Sequence, residues 1–225
     1  MSPLIPASAL FRFRIPCLAI SKQSSSFDET RLSDRFRLPA FSELDGIKPF
    51  ADVRMGWTKT TLVWQVTVKG KQKPLWCREG RAEESDGLHI WLDTRDTKNV
   101  QRATQFCHRF AFLPGGRGTL RTDPVAAQIW MAQARAHPQT VEEESWQIAA
   151  NVQPSGYQLT ASIELSALTG FESLENARLG FFYEVIDAEH GRQTLSLSPD
   201  LYRFAEDPSL WVTLELVDKS RDSAK

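Results

Sequence analysis

Apolar side chains recur at every second residue through most of this sequence, and this period limits the possible folds more than any other feature. A period of two is typical of β-strands that bury one face and expose the other. In the run 62–69, for example, the side chains of Leu62, Trp64, Val66 and Val68 fall on one side. Similar runs, separated by turn residues, span 52–57, 88–93, 106–112, 146–152, 157–163, 179–187, 194–197 and 210–217. The alternation predicts about ten short strands.

The order and spacing of these runs predict an all-β fold, namely an antiparallel β-sandwich with jelly-roll-like, immunoglobulin-like layers. Helix is expected to be scarce, with one or two short helices. Residues 124–136 are the best candidate, because Pro124 suits a first helical turn and Pro138 follows the end. Residues 166–171 can form one short helical turn.

The strand runs are expected to form one domain. We predict the sandwich over 45–217, an N-terminal strand and connecting segment of the same domain over 1–44, and a flexible tail over 218–225. Phe11 and Phe13 alternate with arginines, which indicates a first strand of the mature protein rather than a signal peptide. The protein is therefore expected to stay in the compartment where it is made, with the cytoplasm favoured.

The charge balance excludes some classes of partner. The chain has 225 residues with 27 basic and 28 acidic side chains, so its net charge is -1. A generic electrostatic attraction to nucleic acid or to an anionic membrane is not expected. The sequence contains no apolar run long enough for a membrane span. Its three cysteines are too few and too scattered for a disulfide framework, and no zinc-ligand spacing is present.

Five segments carry a family resemblance. They are LDG at Leu44 to Gly46, TTLVWQVTV at 60–68, SDGLHIWLDTRD at 85–96, SGYQLTASIELSAL at 155–168 and RLGFFYEVIDAEHGRQ at 178–193. In this order and spacing the sequence resembles the family 9 carbohydrate-binding modules and the DOMON-like sandwich superfamily around them, over roughly 45–217. The resemblance implies a non-catalytic module that binds a saccharide or a similar small polar ligand by aromatic stacking and hydrogen bonds.

In the family modules that bind sugar, two tryptophans hold a terminal sugar ring between them. The apolar C–H face of a sugar packs on an aromatic ring, while its hydroxyls need placed donors and acceptors. The resemblance implies that Trp76 is the first of these tryptophans. It also implies hydrogen-bonding roles for Arg109, which matches a family arginine, and for Glu184, which stands at a polar position of a family strand.

The sequence departs from the family pattern at two positions. His89 stands where the family carries its signature glutamate. The second tryptophan is expected near Leu197, where this chain has none, and Tyr202 is the nearby aromatic residue. These departures motivate an alternative function, a structural or protein-interaction sandwich that has lost the sugar site and whose partner is another protein.

Strand pleating gives a separate argument for the same residues. If 88–93 pairs with 105–112, His89 is expected near Arg109 and Trp91 near Cys107, all on the face opposite Leu88. The predicted ligand-binding residues are therefore Trp76, His89, Trp91, Arg109 and Glu184. The competing interpretation is packing alone, in which His89 bonds to a backbone carbonyl.

The loop after the 88–93 run offers oxygen ligands. Family modules often hold calcium in loops, and Asp93, Asp96 and Asn99 are the candidate calcium ligands here. Alternatively, the carboxylate of Asp93 caps its own turn. No other cofactor is predicted.

No enzyme motif accompanies this pattern. The sequence lacks a nucleophile elbow, a metalloprotease helix, a phosphate-binding loop and a dinucleotide fingerprint, so the protein is not expected to be an enzyme. A second alternative is a DOMON-type haem or redox domain, which requires an axial pair of ligands that face one pocket. His89, His108 and Met131 are the candidates for that pair.

Overall fold

The computed structural model describes residues 9–21, 27, 30–174 and 177–218, and within these ranges it contains strands and short 3-10 helices but no α-helix. The strands are β1 (Arg14–Ala19), β2 (Ala51–Trp57), β3 (Thr61–Lys69), β4 (Gly87–Asp93), β5 (Cys107–Arg117), β6 (Asp123–Gln128), β7 (Trp146–Gln153), β8 (Gly156–Glu164), β9 (Arg178–Asp187), β10 (Gly191–Thr194) and β11 (Val212–Val217). The 3-10 helices are Asp34–Phe36, Phe41–Asp45, Glu79–Glu84, Glu143–Ser145, Leu165–Ala167 and Pro208–Leu210. The all-β prediction is confirmed.

One hydrogen-bonded sheet runs in the order β6-β5-β4-β9-β11-β1-β2-β3-β8-β7, and β10 pairs with β9. All pairs are antiparallel except those of β1, which lies parallel to both β11 and β2. The sheet folds over, so that a first layer (β6, β5, β4, β9, β10 and β11) faces a second layer (β2, β3, β8 and β7). This is the predicted sandwich-like architecture. Residues 1–8, 22–26, 28–29, 175–176 and 219–225, which include most of the predicted tail, lie outside the described residues.

Alternate side chains of each strand form the core between the layers. In the second layer, Trp64 lies between Met55 and Ala161 on neighbouring strands, and it is fully buried. Its ring stacks on Phe112 of the first layer, with 5.9 Å between ring centroids. Each large side chain buried here stabilises the fold by about 2–3 kcal/mol relative to an exposed position.

The predicted helix at 124–136 is wrong. Its first half is β6, which pairs with β5, and its second half is irregular. Val125 and Ile129 are buried while Trp130 is exposed, and Ala127 packs with the buried pair, so burial follows a period of two. Because β6 ends the sheet, Pro124 can occupy it without removing a ladder hydrogen bond that a central strand would need.

Two further elements differ slightly from the sequence predictions. The strand expected at 194–197 lies at Gly191–Thr194, because a tight turn after Asp187 returns the chain along β9 at once. The following residues stay buried, and Leu195 N–H still donates to the Tyr183 carbonyl. The short turn expected at 166–171 appears as the 3-10 helix Leu165–Ala167.

Gly87 begins β4 in a backbone conformation that other residues rarely adopt, with φ at +152°. A Cβ atom there would lie 2.3 Å from the Phe112 carbonyl oxygen of β5. We expect Gly87→Ala to lower the free energy of unfolding by about 2–3 kcal/mol, measured by urea denaturation. Gly80→Ala is the matched control, since a Cβ there meets nothing within 4 Å. Equal midpoints for the two variants would contradict this account.

Candidate functional site

Four of the predicted ligand residues share the outer face of the first layer. Strand alternation places Trp91 opposite Arg109 of β5, and His89 opposite Glu184 of β9. The Arg109 guanidinium carbon lies 5.0 Å from the centre of the Trp91 ring, a cation–π contact. We call the group of His89, Trp91, Arg109 and Glu184 the outer-face patch.

The two strands pair as predicted, but the residues expected to be neighbours are offset by two positions instead of lying directly opposite each other. His89 lies opposite Ala111 instead of Arg109, and Asp93 instead of Trp91 lies opposite Cys107. The loop between the strands sets the pairing, because Thr94 N–H donates to the Phe106 carbonyl and closes the loop at the strand ends. A shift of two residues keeps the same side chains on one face of the sheet. His89, Trp91 and Arg109 therefore still share one face, as expected.

The outer-face patch is closed by the segment that follows β10. The edge of the Trp91 ring meets the Phe204 ring with 5.4 Å between centroids, and Phe204 also stacks on Phe182 at 4.2 Å. Trp91 and His89 are both 0% exposed. Phe204 therefore covers the Trp91 ring, whereas the Ser85 carbonyl oxygen lies 3.4 Å from the His89 ring.

Two ion pairs border the outer-face patch. Arg192 donates to both carboxylate oxygens of Glu184, at 2.6 and 2.7 Å, and Arg109 donates to Glu83 at 2.9 Å. Burial raises the pKa of Glu184, although Arg192 and Arg109 both oppose that shift. In each pair the arginine charge is already balanced by a carboxylate. Neither pair offers an unpaired charge to a ligand at the border of the patch.

Beneath these ion pairs, three buried polar atoms have no hydrogen-bond partner among the described residues: His89 Nδ1, Trp91 Nε1 and Arg109 Nε. Burial and the nearby Arg109 charge lower the pKa of His89 to about 3, so its ring is neutral. The other ring nitrogen, Nε2, lies 3.4 Å from the Ser85 carbonyl oxygen, close to the packing role anticipated for this residue. The patch has unused hydrogen-bonding capacity, but it is enclosed.

Trp76 lies in a different place. It is half-buried and lines a hollow of about 540 Å³ with Arg78, Glu79, Gly80, Arg81, Gly116 and Arg121. We call this the Trp76 hollow. The guanidinium carbons of Arg81 and Arg78 lie 5.3 and 5.7 Å from the ring centre. The hollow therefore combines an aromatic ring with a rim of guanidinium groups.

Asp86 fixes the backbone of Trp76. The Trp76 N–H donates to Asp86 Oδ2 at 3.0 Å, and the Asp86 N–H donates back to the Trp76 carbonyl at 2.9 Å. The second carboxylate oxygen, Oδ1, accepts from Ala188 N–H at 2.7 Å. Asp86 thus ties the Trp76 loop to the turn between β9 and β10.

None of the four patch residues lines the Trp76 hollow, but the two places are neighbours. Glu83, the ion-pair partner of Arg109, belongs to the same 3-10 helix as Glu79 and Arg81, which line the hollow. Tyr202, the aromatic residue nearest the expected second tryptophan, lines another cleft with Leu197 and Asp96, beyond the far end of β4. The two aromatic positions therefore do not form a clamp around one ligand.

A buried charge cluster beside the Trp76 loop was not identified from the sequence. Lys71 Nζ lies 2.5 Å from Asp187 Oδ2 and 3.6 Å from Asp86 Oδ2, and all three side chains are at most 3% exposed. Asp86 and Asp187 stand within two of the segments that carry the family resemblance, but nothing in the sequence marks Lys71 as buried. The cluster places one positive charge between Asp187 and the carboxylate that holds Trp76, with the shorter contact to Asp187.

The candidate calcium ligands are engaged in other contacts. Asp93 accepts from the N–H groups of Arg95 and Thr97, at 3.0 and 2.7 Å, which is the turn-capping geometry considered above. Asp96 pairs with Lys98, and Asn99 is exposed. Within the described ranges no group of three acidic, histidine or cysteine side chains is arranged to hold a metal ion. The residues present do not fit a calcium site at this loop.

The two candidate haem-ligating histidines point in opposite directions. His89 lies on the outer face of the first layer, whereas His108 lies opposite Leu92 on the core face and stacks on Phe110. They cannot form an axial pair on one haem. None of the helical turns in the described part of the chain has the length or apolar character of a membrane span.

Comparison with solved structures identifies the fold. A family 9 carbohydrate-binding module from Caldicellulosiruptor kristjanssonii, in complex with glucose, aligns with a TM-score of 0.61 over 93% of this chain and 98% of the module, at 13% sequence identity. In complex with cellotriose it aligns with a TM-score of 0.60 over 95% of this chain and 98% of the module, at 14% identity. A protein from Bacteroides uniformis aligns with a TM-score of 0.50 over 81% of this chain and 84% of its own, at 13% identity. No protein-family model and no curated protein matches the sequence. The chain has a fold like that of the family 9 modules, as the sequence resemblance implied.

Proposed function

We propose that this protein is a non-catalytic module that binds a saccharide, or a similar small polar ligand, at the Trp76 hollow. Two observations support the proposal. The first is the fold, which resembles modules solved with glucose and cellotriose. The second, which carries the argument, is Trp76 itself, a half-buried indole that lines a hollow and is held by Asp86.

A fixed aromatic ring suits a saccharide. Because Asp86 anchors the Trp76 backbone through two hydrogen bonds, little conformational freedom is lost when a ligand stacks on the ring. In this proposal the guanidinium groups of Arg78 and Arg81, which lie over the ring, swing to its edge, so that the C–H face of the sugar packs on the indole. Arg78 and Arg121 then offer donors to the sugar oxygens. Direct contact is therefore assigned to the Trp76 hollow.

In this proposal the outer-face patch has a different role while Phe204 covers it. It supports the sheet that carries the hollow, and Glu184 and Arg109 remain paired with Arg192 and Glu83. Ligand contact by this patch stays a prediction that requires its cover, which over Trp91 is Phe204, to open. Three buried polar atoms of the patch have no partner among the described residues.

The arrangement of acids favours binding over hydrolysis. Glycoside hydrolysis needs two carboxyl groups across a cleft. Glu79 is the one acidic side chain among the residues that line the Trp76 hollow. Asp86 and Asp93 are bonded to backbone N–H groups, and Glu184 is bound by Arg192. A sugar in the Trp76 hollow would therefore meet one acidic lining residue instead of the pair that hydrolysis requires.

Calorimetric titration of the wild type and Trp76→Ala tests the proposal. Glucose and cellotriose are expected to bind the wild type, and the substitution is expected to weaken binding at least about tenfold, since stacking area is lost. Trp130→Ala is the control, because Trp130 is 47% exposed but lies outside the hollow. Equal saccharide affinity in Trp76→Ala and Trp130→Ala would show that Trp76 does not contact the ligand. Absence of binding by any saccharide, with capture of one defined protein, would favour the protein-interaction alternative.

A further inference from the structure

We infer that the ligand of the Trp76 hollow is a negatively charged saccharide, whose carboxylate or other acidic group pairs with the arginine rim while its ring packs on Trp76. This inference rests on the proposed function and specifies its ligand class. It requires that the rim carry more positive charge than its own acids neutralise.

The rim has a surplus of positive charge. Three of the seven residues that line the Trp76 hollow are arginines, and one is an acid. That acid, Glu79, accepts a hydrogen bond at 2.9 Å from Arg117, which does not line the hollow. Since the whole chain has a net charge of -1, the surplus is local to this surface and does not reflect a basic protein.

Two of the three arginines have no carboxylate partner in the part of the chain that the structure describes. Arg81 forms an ion pair with Glu84. Arg78 donates to the Cys77 carbonyl at 2.8 Å and forms no ion pair with a described residue. The exposed side chain of Arg121 contacts no polar partner within the described ranges. Arg78 and Arg121 can therefore bind an incoming anion without first breaking an ion pair.

The surroundings suit an anion attached to a ring better than a free ion. A guanidinium group donates two parallel hydrogen bonds to a carboxylate, which orients the anion as well as attracting it. The indole beside it accepts an apolar ring face. The Trp76 hollow offers both surfaces at once, and a uronate residue carries both complementary groups on one ring.

The cleft that Tyr202 lines also combines aromatic rings with arginines, but Arg14 and Arg178 there both pair with Glu215, at 3.7 and 3.3 Å. A groove of about 570 Å³ on the outer face of the second layer contains Asp52 and Arg54, but these charges already pair with each other at 2.7 Å. Arg37 pairs with Asp52 as well, at 2.6 Å. An anion there would have to displace a carboxylate, so we place the acidic saccharide at the Trp76 hollow.

Calorimetry with a matched pair of probes tests the inference. The probes are methyl β-glucopyranoside and methyl β-glucopyranosiduronate, which differ in one carboxylate. We expect the uronate to bind the wild type at least about tenfold more tightly, as one charge-assisted hydrogen-bond pair allows, and high salt to weaken that advantage. Arg121→Gln is expected to remove most of the uronate's advantage in affinity. The control, Arg135→Gln, changes an exposed arginine that does not line the hollow and is expected to leave that advantage intact.

The outcomes separate this inference from the proposed function. If both probes bind equally and Trp76→Ala weakens both, the module binds sugars but the inference about charge is wrong. If neither probe binds, the proposed function itself fails. Inorganic sulfate is a third probe. Sulfate that binds as tightly as the uronate, with no effect of Trp76→Ala on either, would show a simple anion site and overturn the inference.

Discussion

Lys71→Met is expected to lower the free energy of unfolding by about 3–5 kcal/mol, because it leaves buried carboxylates without their cation. Lys71 Nζ lies 2.5 Å from Asp187 and 3.6 Å from Asp86, and none of the three side chains is more than 3% exposed. Methionine keeps the length of the side chain and removes its charge. Urea denaturation at neutral pH measures the loss.

Two further variants make this expectation specific. Lys69→Met, two residues earlier at an exposed position, is expected to change stability by less than about 0.5 kcal/mol. Combining Lys71→Met with Asp187→Asn is expected to recover part of the lost free energy of unfolding. The second substitution removes one of the two buried carboxylate charges that Lys71→Met leaves without a cation. If Lys71→Met and Lys69→Met unfold at the same urea concentration, the buried cluster does not contribute as described.

The same cluster has a defined dependence on pH. Burial by itself would raise the pKa of Asp187, but Lys71 and the N–H groups of His190 and Glu189 outweigh it and lower that pKa. A carboxyl group with a lowered pKa stabilises the fold at neutral pH, and this contribution is lost as pH falls through the lowered value. The cluster also includes Asp86, the carboxylate that holds Trp76. We therefore expect protonation of Asp187 to loosen the proposed ligand site too.

The sequence predicted the layers of this fold because strand periodicity is a local property. The alternation around Trp64 and Leu88 identifies core-facing side chains without any knowledge of the partner strands. The same rule places Trp91 and Arg109 on one face whatever their register. The exception is β6, where Pro124 and a run rich in alanine imitate the beginning of a helix.

The state of the candidate site could not be read from local patterns. The closure of the outer-face patch depends on Phe204, which lies more than a hundred positions beyond Trp91 and reaches it through tertiary packing. The burial of Lys71 likewise depends on Asp187, from a distant turn. Family matching placed Trp76 and the outer-face patch in one site, but none of the four patch residues lines the Trp76 hollow, because the segment between Trp76 and Asp86 packs against the patch.

Acidification from about pH 6 to pH 4.5 is expected to destabilise this protein steeply, because two histidines are buried in their neutral form. Burial, together with the charge of Arg109, lowers the pKa of His89 to about 3, and burial lowers that of His108 to about 4. In the unfolded chain both take up a proton near pH 6.5. Stability is therefore full above that value and is lost as pH falls towards the folded pKa values, by about 1.4 kcal/mol per pH unit for each histidine.

His108→Phe isolates one of these two contributions. Phenylalanine keeps an aromatic ring beside Phe110, on which the His108 ring stacks, and it cannot take up a proton. We expect this variant to show about half the wild-type loss of stability in urea denaturation over the same pH range. His137→Gln, at an exposed residue, is expected to keep the full loss. Burial raises the pKa of Asp86 and Asp93, so these two carboxyl groups add stability as pH falls, opposite to the histidines. The test therefore compares the loss of stability between variants, in which the carboxyl contributions cancel. Equal losses in the wild type and His108→Phe would show that His108 is not held neutral in the core.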